Sequence, residues 1–169
     1  MDMFEKVLVE QNKHWKGEQQ EIGISRLMLK KVIPFLKNKQ ILIVTGIRRC
    51  GKSYLLRQIK AELLSNGKKP NNILYLNLEN PYFDEFRDKV VYLDKLFEEY
   101  LSLTEPEGQL YVLFDEVQFF HNWQVFVKSK FETEKIKFIL TGSNSWLLSS
   151  EFTTLLSGRS FNFELYPFN

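Results

Sequence analysis

The run ILIVT, Ile41 to Thr45, passes directly into Gly46-Ile47-Arg48-Arg49-Cys50-Gly51-Lys52-Ser53 and then into the helical pattern YLLRQI. The spacing is G-x-x-x-x-G-K-[ST], the Walker A phosphate loop, set between a strand and a helix. That junction lets backbone N–H groups and a helix N-terminus converge on phosphate oxygens. Gly46 and Gly51 permit backbone conformations and close approach that a Cβ would obstruct. Lys52 is expected to reach the β- and γ-phosphates as a point charge, and the Ser53 hydroxyl to complete a Mg²⁺ shell. Arg48, Arg49, Cys50 and Tyr54 complete the candidate nucleotide-binding set. A glycine-rich turn that binds nothing is the alternative.

Around this junction the chain alternates short apolar runs with helical patterns. Candidate strands are 41–45, 72–78, 109–115, 136–142 and 161–166, with helices expected near 52–66, 89–103, 122–132 and 145–157. Strands this apolar are expected to be covered on both faces, so a three-layer α/β/α arrangement with a mainly parallel five-stranded sheet is the simplest architecture. Helical spacing before the sheet, at Met3 to Asn12 and Ser25 to Leu36, marks residues 1–38 as a helical extension to a core spanning 39–169. The polar stretch KHWKGEQQEIG between those helices reads as a loop.

The third strand ends YVLFDEVQ, with Asp115 and Glu116 at its carboxyl end. Adjacent acids there suit two tasks: Asp115 to hold the metal's water shell and Glu116 to polarise an attacking water. Open α/β sheets bind ligands at that edge. A solvated turn is the alternative. Because strand 72–78 intervenes between the Walker A strand and this one, the order fits ATPases with an inserted catalytic strand better than nucleoside kinases or GTPases. The fourth strand ends ILTGSNS, placing Thr141, Ser143 and Asn144 where a side chain could touch the γ-phosphate or the attacking water. Ser143 and Asn144 are the stronger candidates, and both also make good N-caps for a following helix.

The segments GISRLML, GIRRCGKSYLLRQI, ILYLNLENP, YVLFDEVQFFHNW, FILTGSNSWLLSSE and LLSGRSFNFELYPF together resemble, in order and spacing, the ATPase domain of a prokaryotic AAA-like family. The resemblance spans nearly the whole chain. It implies strand order five-one-four-three-two, ATP and Mg²⁺ as cofactors, and a sensor role for Ser143 or Asn144. Arg159, in the Gly158-Arg159 pair before the last strand, matches the finger that such ATPases lend to the next subunit, which implies a homo-oligomer. A surface arginine at a helix end is the plainer account of that residue. Family members continue into a helical connection and a nuclease-like carboxy-terminal domain, so the resemblance implies an amino-terminal fragment without the lid that closes over the base. DNA or RNA would then be met through the missing part.

Bulk properties narrow the reading without naming a partner. With 169 residues, 44% hydrophobic and 26% charged, a single soluble domain is expected, and a net charge of +2 gives the molecule no strong field. The aromatic share of 15%, with fifteen phenylalanines, calls for a dense core or a surface meant for a neighbour. One cysteine excludes an internal disulfide, and no apolar run approaches membrane-spanning length, which together suggest a cytoplasmic protein. Cys50 reads as a small filler, with oxidation that blocks nucleotide as the sharper alternative. Arg26 is a lesser candidate for the base pocket, and His121 and Trp123 are expected to pack or cap. His14 and Trp15 are expected to stand isolated in a polar loop. The basic runs at Lys30, Lys31, Lys37 and Lys39 and in KSKFETEKIK read as solvated faces, with nucleic-acid contact as the alternative. Two functional rivals remain: a nucleotide-controlled switch with negligible turnover, and a small-molecule kinase.

Overall fold

The computed structural model describes residues 1–143 and 154–167. Five strands, β1 (Ile41–Thr45), β2 (Ile73–Asn77), β3 (Leu110–Asp115), β4 (Ile136–Gly142) and β5 (Ser160–Glu164), form one sheet in the order β2-β3-β4-β1-β5. Every neighbouring pair is parallel, so the sheet is wholly rather than mainly parallel, and the order implied by the family resemblance holds. The register sets Thr45 beside Gly142 and Asn77 beside Asp115. The carboxyl ends of four strands therefore share one edge.

The period-two alternation of each strand feeds two cores. Ile41 and Ile43 face a layer made by α1 (Met3–Gln11), α4 (Val91–Thr104) and α5 (Trp123–Thr133). Leu42 and Val44 face α2 (Leu27–Val32) and α3 (Lys52–Ser65). Most of the phenylalanine content is core on the first face, where Phe97, Phe114, Phe126 and Phe138 meet in tilted and edge-on pairs. At the β5 edge, Phe161 and Phe163 pack edge-on against Phe35, leaving Phe161 36% exposed.

Two local expectations change. The helix expected over 25–36 is α-helical only at Leu27–Val32 and tightens into a 3-10 turn at Ile33–Lys37, because Pro34 lacks the N–H that an α-helix would use. The polar stretch after α1 begins with a 3-10 turn, Lys13–Lys16, in which His14 is buried rather than isolated. Its side chains close the exposed edge of β2. His14 Nε2 and Trp15 Nε1 each lie 2.9 Å from the Ile73 carbonyl. Asn12 accepts from Tyr75 N–H at 2.7 Å and donates to the Tyr75 carbonyl at 2.9 Å, while Gln11 accepts from Asn77 N–H at 2.7 Å. Side chains thus take the place of a sixth strand. The helix expected near 145–157 lies largely outside the described residues.

Candidate functional site

The phosphate loop leaves β1 at Thr45 and enters α3 at Lys52. Gly51 caps α3 with φ of 96° and no side-chain hydrogen bond, so the first amides of the helix are left without a capping acceptor. A Cβ on Gly46 would lie 2.6 Å from both Cys50 Sγ and the Leu165 carbonyl. Cys50 is 2% exposed, packed beneath the loop as a filler. Arg48 reaches outward to Glu79 at 3.2 Å, and Arg49 is exposed with φ of 64°. Tyr54, 48% exposed, presents its ring to Gly23 and to the Arg57 guanidinium.

Arg26 lies at the loop itself. A Cβ on Gly51 would fall 2.1 Å from an Arg26 guanidinium nitrogen. The strap that carries Arg26 is tied to α3 by Gln58, which donates to the Ile22 and Ile24 carbonyls at 2.9 and 2.7 Å and accepts from Arg26 N–H at 3.3 Å. This clamp was invisible in the sequence, because a glutamine in a helix and three loop residues more than thirty positions away share no pattern.

Lys52 is buried, and its ammonium folds back on the loop, donating to the Gly46 and Ile47 carbonyls at 3.2 and 3.0 Å. It also pairs with Glu116 Oε1 at 3.3 Å. Glu116 follows β3 in the left-handed region, with φ of 57°, and its N–H donates to Thr141 Oγ1 at 2.9 Å. Thr141 in turn donates to Asp115, tying both acids to β4. Asp115 is fully buried and also accepts from Tyr75 Oη at 3.1 Å and from the Ser53 side chain. Burial pushes its pKa up, and the Ser53, Thr141 and Tyr75 hydrogen bonds oppose that push. Thr141 is therefore an organiser of the acid pair, a role its place on an apolar strand did not signal.

Arg48, Lys52, Glu79, Glu116, Gln118, Phe119 and Ser143 line a cavity of about 370 Å³ at this edge. Ser143 thus stands with the loop lysine and the second acid, while Asn144 lies outside the described residues. A wider groove of about 940 Å³ opens at the other end of the sheet, where Lys37 and Lys39 meet Lys135 and Lys137. There Lys39 rests on Phe131 and Lys137 on Asn38 and the Gln40 carbonyl, with Glu62 and Glu134 in the same lining; the phosphate loop and the Asp115–Glu116 pair lie at the smaller cavity's edge, so the chemistry favours that one.

Arg159 sits at neither acid. Its carbonyl accepts from Ile41 N–H at 2.7 Å, and its side chain pairs with Glu132 at 3.5 Å. The full length of β1, about 16 Å, separates that end of the sheet from the loop. His121 pairs with Asp88 at 2.7 Å and Trp123 is buried, so both serve packing and helix entry.

A family model described as an AAA domain matches residues 38–169. An uncharacterized protein of Haemophilus influenzae is 36% identical over 139 residues, covering 82% of this chain and 34% of that protein. One from Methanocaldococcus jannaschii is 33% identical over 137 residues, covering 81% of this chain and 28% of its own. The chain therefore spans about a third of the length of the curated relatives it matches. Among solved structures, AMPPCP-bound DnaA from Aquifex aeolicus superposes with a TM-score of 0.51 at 17% identity, covering 89% of this chain and 48% of that one. A DNA replication initiation factor gives 0.54 at 20% identity, covering 96% of this chain and 49% of that one. Those likenesses establish the fold. With the matched region taking in the phosphate loop, both acids and the whole sheet, the chain belongs to the family of AAA domains.

Proposed function

We propose that this domain binds ATP and hydrolyses its β–γ linkage. The observation that carries the reading is the contact between Lys52 and Glu116 inside a cavity rimmed by the phosphate loop. A phosphate-binding cation and a water-activating base are thereby held within one hydrogen-bond length. The amides at the start of α3 would bind phosphate oxygens, and Lys52 would leave the loop carbonyls for the β- and γ-phosphates. Ser53 and Asp115 are hard oxygen donors in mutual contact, which suits Mg²⁺. Those two residues would hold the ion, which when bound neutralises phosphate charge. Glu116 would then accept a proton from water as its oxygen attacks the γ-phosphorus in line. The bond from phosphorus to the bridging oxygen breaks, ADP leaves, and the proton passes on to phosphate or solvent.

Ser143 lines the cavity, which supports sensing of the γ-phosphate by Ser143 or Asn144. Arg159 is too far along the sheet to serve its own loop, which supports its action in a neighbouring subunit. In a chain of the relatives' length, turnover would drive or regulate a carboxy-terminal effector, with nucleic acid as its substrate class. The relatives' extra length supports that step.

The direct test is single turnover: the chain in excess over Mg-ATP, with ADP followed in time, beside Glu116→Gln. ADP formed by the wild type and not by Glu116→Gln supports hydrolysis. Tight binding of ATP with no ADP from either would replace it with the nucleotide-controlled switch.

A further inference from the structure

The two carboxylate oxygens of Glu116 have different partners. Oε1 faces the Lys52 ammonium at 3.3 Å, and Oε2 accepts from Gln118 Nε2 at 2.5 Å. Gln118 belongs to the 3-10 turn Val117–Phe119, held from below by Val117 and Phe120, both fully buried or nearly so. The Phe119 ring is fixed in turn beneath the Arg87 guanidinium. The turn is thus a rigid mount. Gln118 lines the cavity, and its other amide atom, Oε1, is buried with no hydrogen-bond partner among the described residues. A buried, unpartnered carbonyl oxygen is costly, and where one persists at a site it asks for a ligand.

A nucleophilic water explains what that oxygen is for. Water attacking phosphorus through one lone pair has two hydrogens to place. Glu116 can accept one, and unless the second is also held the water is free to rotate off the line of attack. We propose that Gln118 is the second water-orienting residue of the site: its N–H pins the Glu116 carboxylate and its Oε1 accepts the other hydrogen of the attacking water. The inference rests on the hydrolytic reading above.

The same geometry gives an order of events. In the structure Lys52 faces Glu116 Oε1, so the base is engaged. Phosphate draws the ammonium away and frees Oε1 for water, while the Gln118 bond to Oε2 keeps the carboxylate from turning. Gln118 accordingly contributes to turnover and not to the grip on ATP.

The test compares wild type with Gln118→Met, which keeps the volume and removes both polar atoms, and Gln118→Glu, which keeps the acceptor and adds a charge beside Glu116. ATP affinity and single-turnover rate are measured for each. Gln118→Met is expected to bind ATP within about twofold of wild type and to hydrolyse it about ten- to a hundredfold more slowly. Gln118→Glu, whose carboxylate cannot donate to Glu116 Oε2, is expected to bind ATP within a few-fold of wild type and to lose rate as Gln118→Met does. Gln118→Met turning over at the wild-type rate, or losing rate only in step with ATP affinity, overturns the proposal. A wild type that forms no more ADP than Glu116→Gln overturns the hydrolytic reading, and this inference with it.

Discussion

Lys52 and Glu116 hold each other 3.3 Å apart, the ammonium almost wholly buried and the carboxylate side chain 15% exposed. On the proposed mechanism, each here satisfies a charge that the reaction needs elsewhere. ATP binding would then separate them, and the pair would set a threshold that phosphate contacts have to exceed.

Removing one partner exposes that threshold. Glu116→Gln leaves the Lys52 ammonium buried beside neutral acceptors only. The nucleotide-free variant is expected to melt roughly 2–8 °C below wild type, equivalent to about 1–2 kcal/mol for a chain of this size. It is also expected to bind ATP more tightly, and saturating ATP is expected to restore the loss. Melting curves with and without nucleotide check both parts.

Thr141 joins the two acids through one hydroxyl, accepting from Glu116 N–H and donating to Asp115. Thr141→Val keeps the shape of the side chain and removes both bonds. Stability is expected to fall by about 1–3 kcal/mol. The Mg²⁺ concentration needed for half-maximal turnover is expected to rise several-fold. Titrating the ion against turnover separates this from a simple loss of folded protein.

Gly46 has no room for a methyl group. Gly46→Ala would push against both Cys50 Sγ and the Leu165 carbonyl, each 2.6 Å from the new Cβ. A cost of about 1–3 kcal/mol and loss of ATP binding are expected. Adding Cys50→Gly removes only the sulfur contact, so the double variant is expected to recover part of the stability and little of the binding. Calorimetric melting and ATP titration of both variants give the comparison.

His14 predicts acid sensitivity at the β2 edge. Burial lowers its pKa from 6.5 to about 4, with the nearby Lys60 charge adding to the drop and the Ile73 carbonyl opposing it. A histidine with a depressed folded pKa is neutral in the fold and takes up a proton more readily when unfolded. Its contribution is complete above pH 6.5 and is lost as pH falls from 6.5 towards 4, by up to about 3 kcal/mol. His14→Gln is expected to flatten that part of the stability–pH curve, which denaturant melts at pH 4.5 and 7.5 would show.

Features carried by contiguous residues were legible in the sequence. The phosphate loop, the acid pair at the end of β3 and the apolar strands all announce themselves by spacing, and the parallel order followed from a family resemblance. What stayed hidden is held together by side chains reaching backbone far along the chain. Asn12 and His14 close the β2 edge across 63 and 59 positions, and Gln58 clamps the Arg26 strap across 32 to 36. Such bonds leave no period. Gln118 was quoted within the YVLFDEVQ stretch yet given no role, because an amide becomes informative only when one end is seen on a carboxylate and the other is left buried without a partner in a residue that lines a cavity. Likewise Thr141, read as a candidate near the γ-phosphate, shows its bonds to both acids only in the structure.

The central claim is that the Lys52–Glu116 cavity hydrolyses ATP and is completed by a neighbour's Arg159. The measurement that tests it most directly is phosphate release from Mg-ATP per molecule across a range of protein concentrations, for wild type, Glu116→Gln and Arg159→Ala. A wild-type rate that climbs with concentration, with both variants at background, is the predicted result. A wild-type rate no higher than that of Glu116→Gln at every concentration would contradict it.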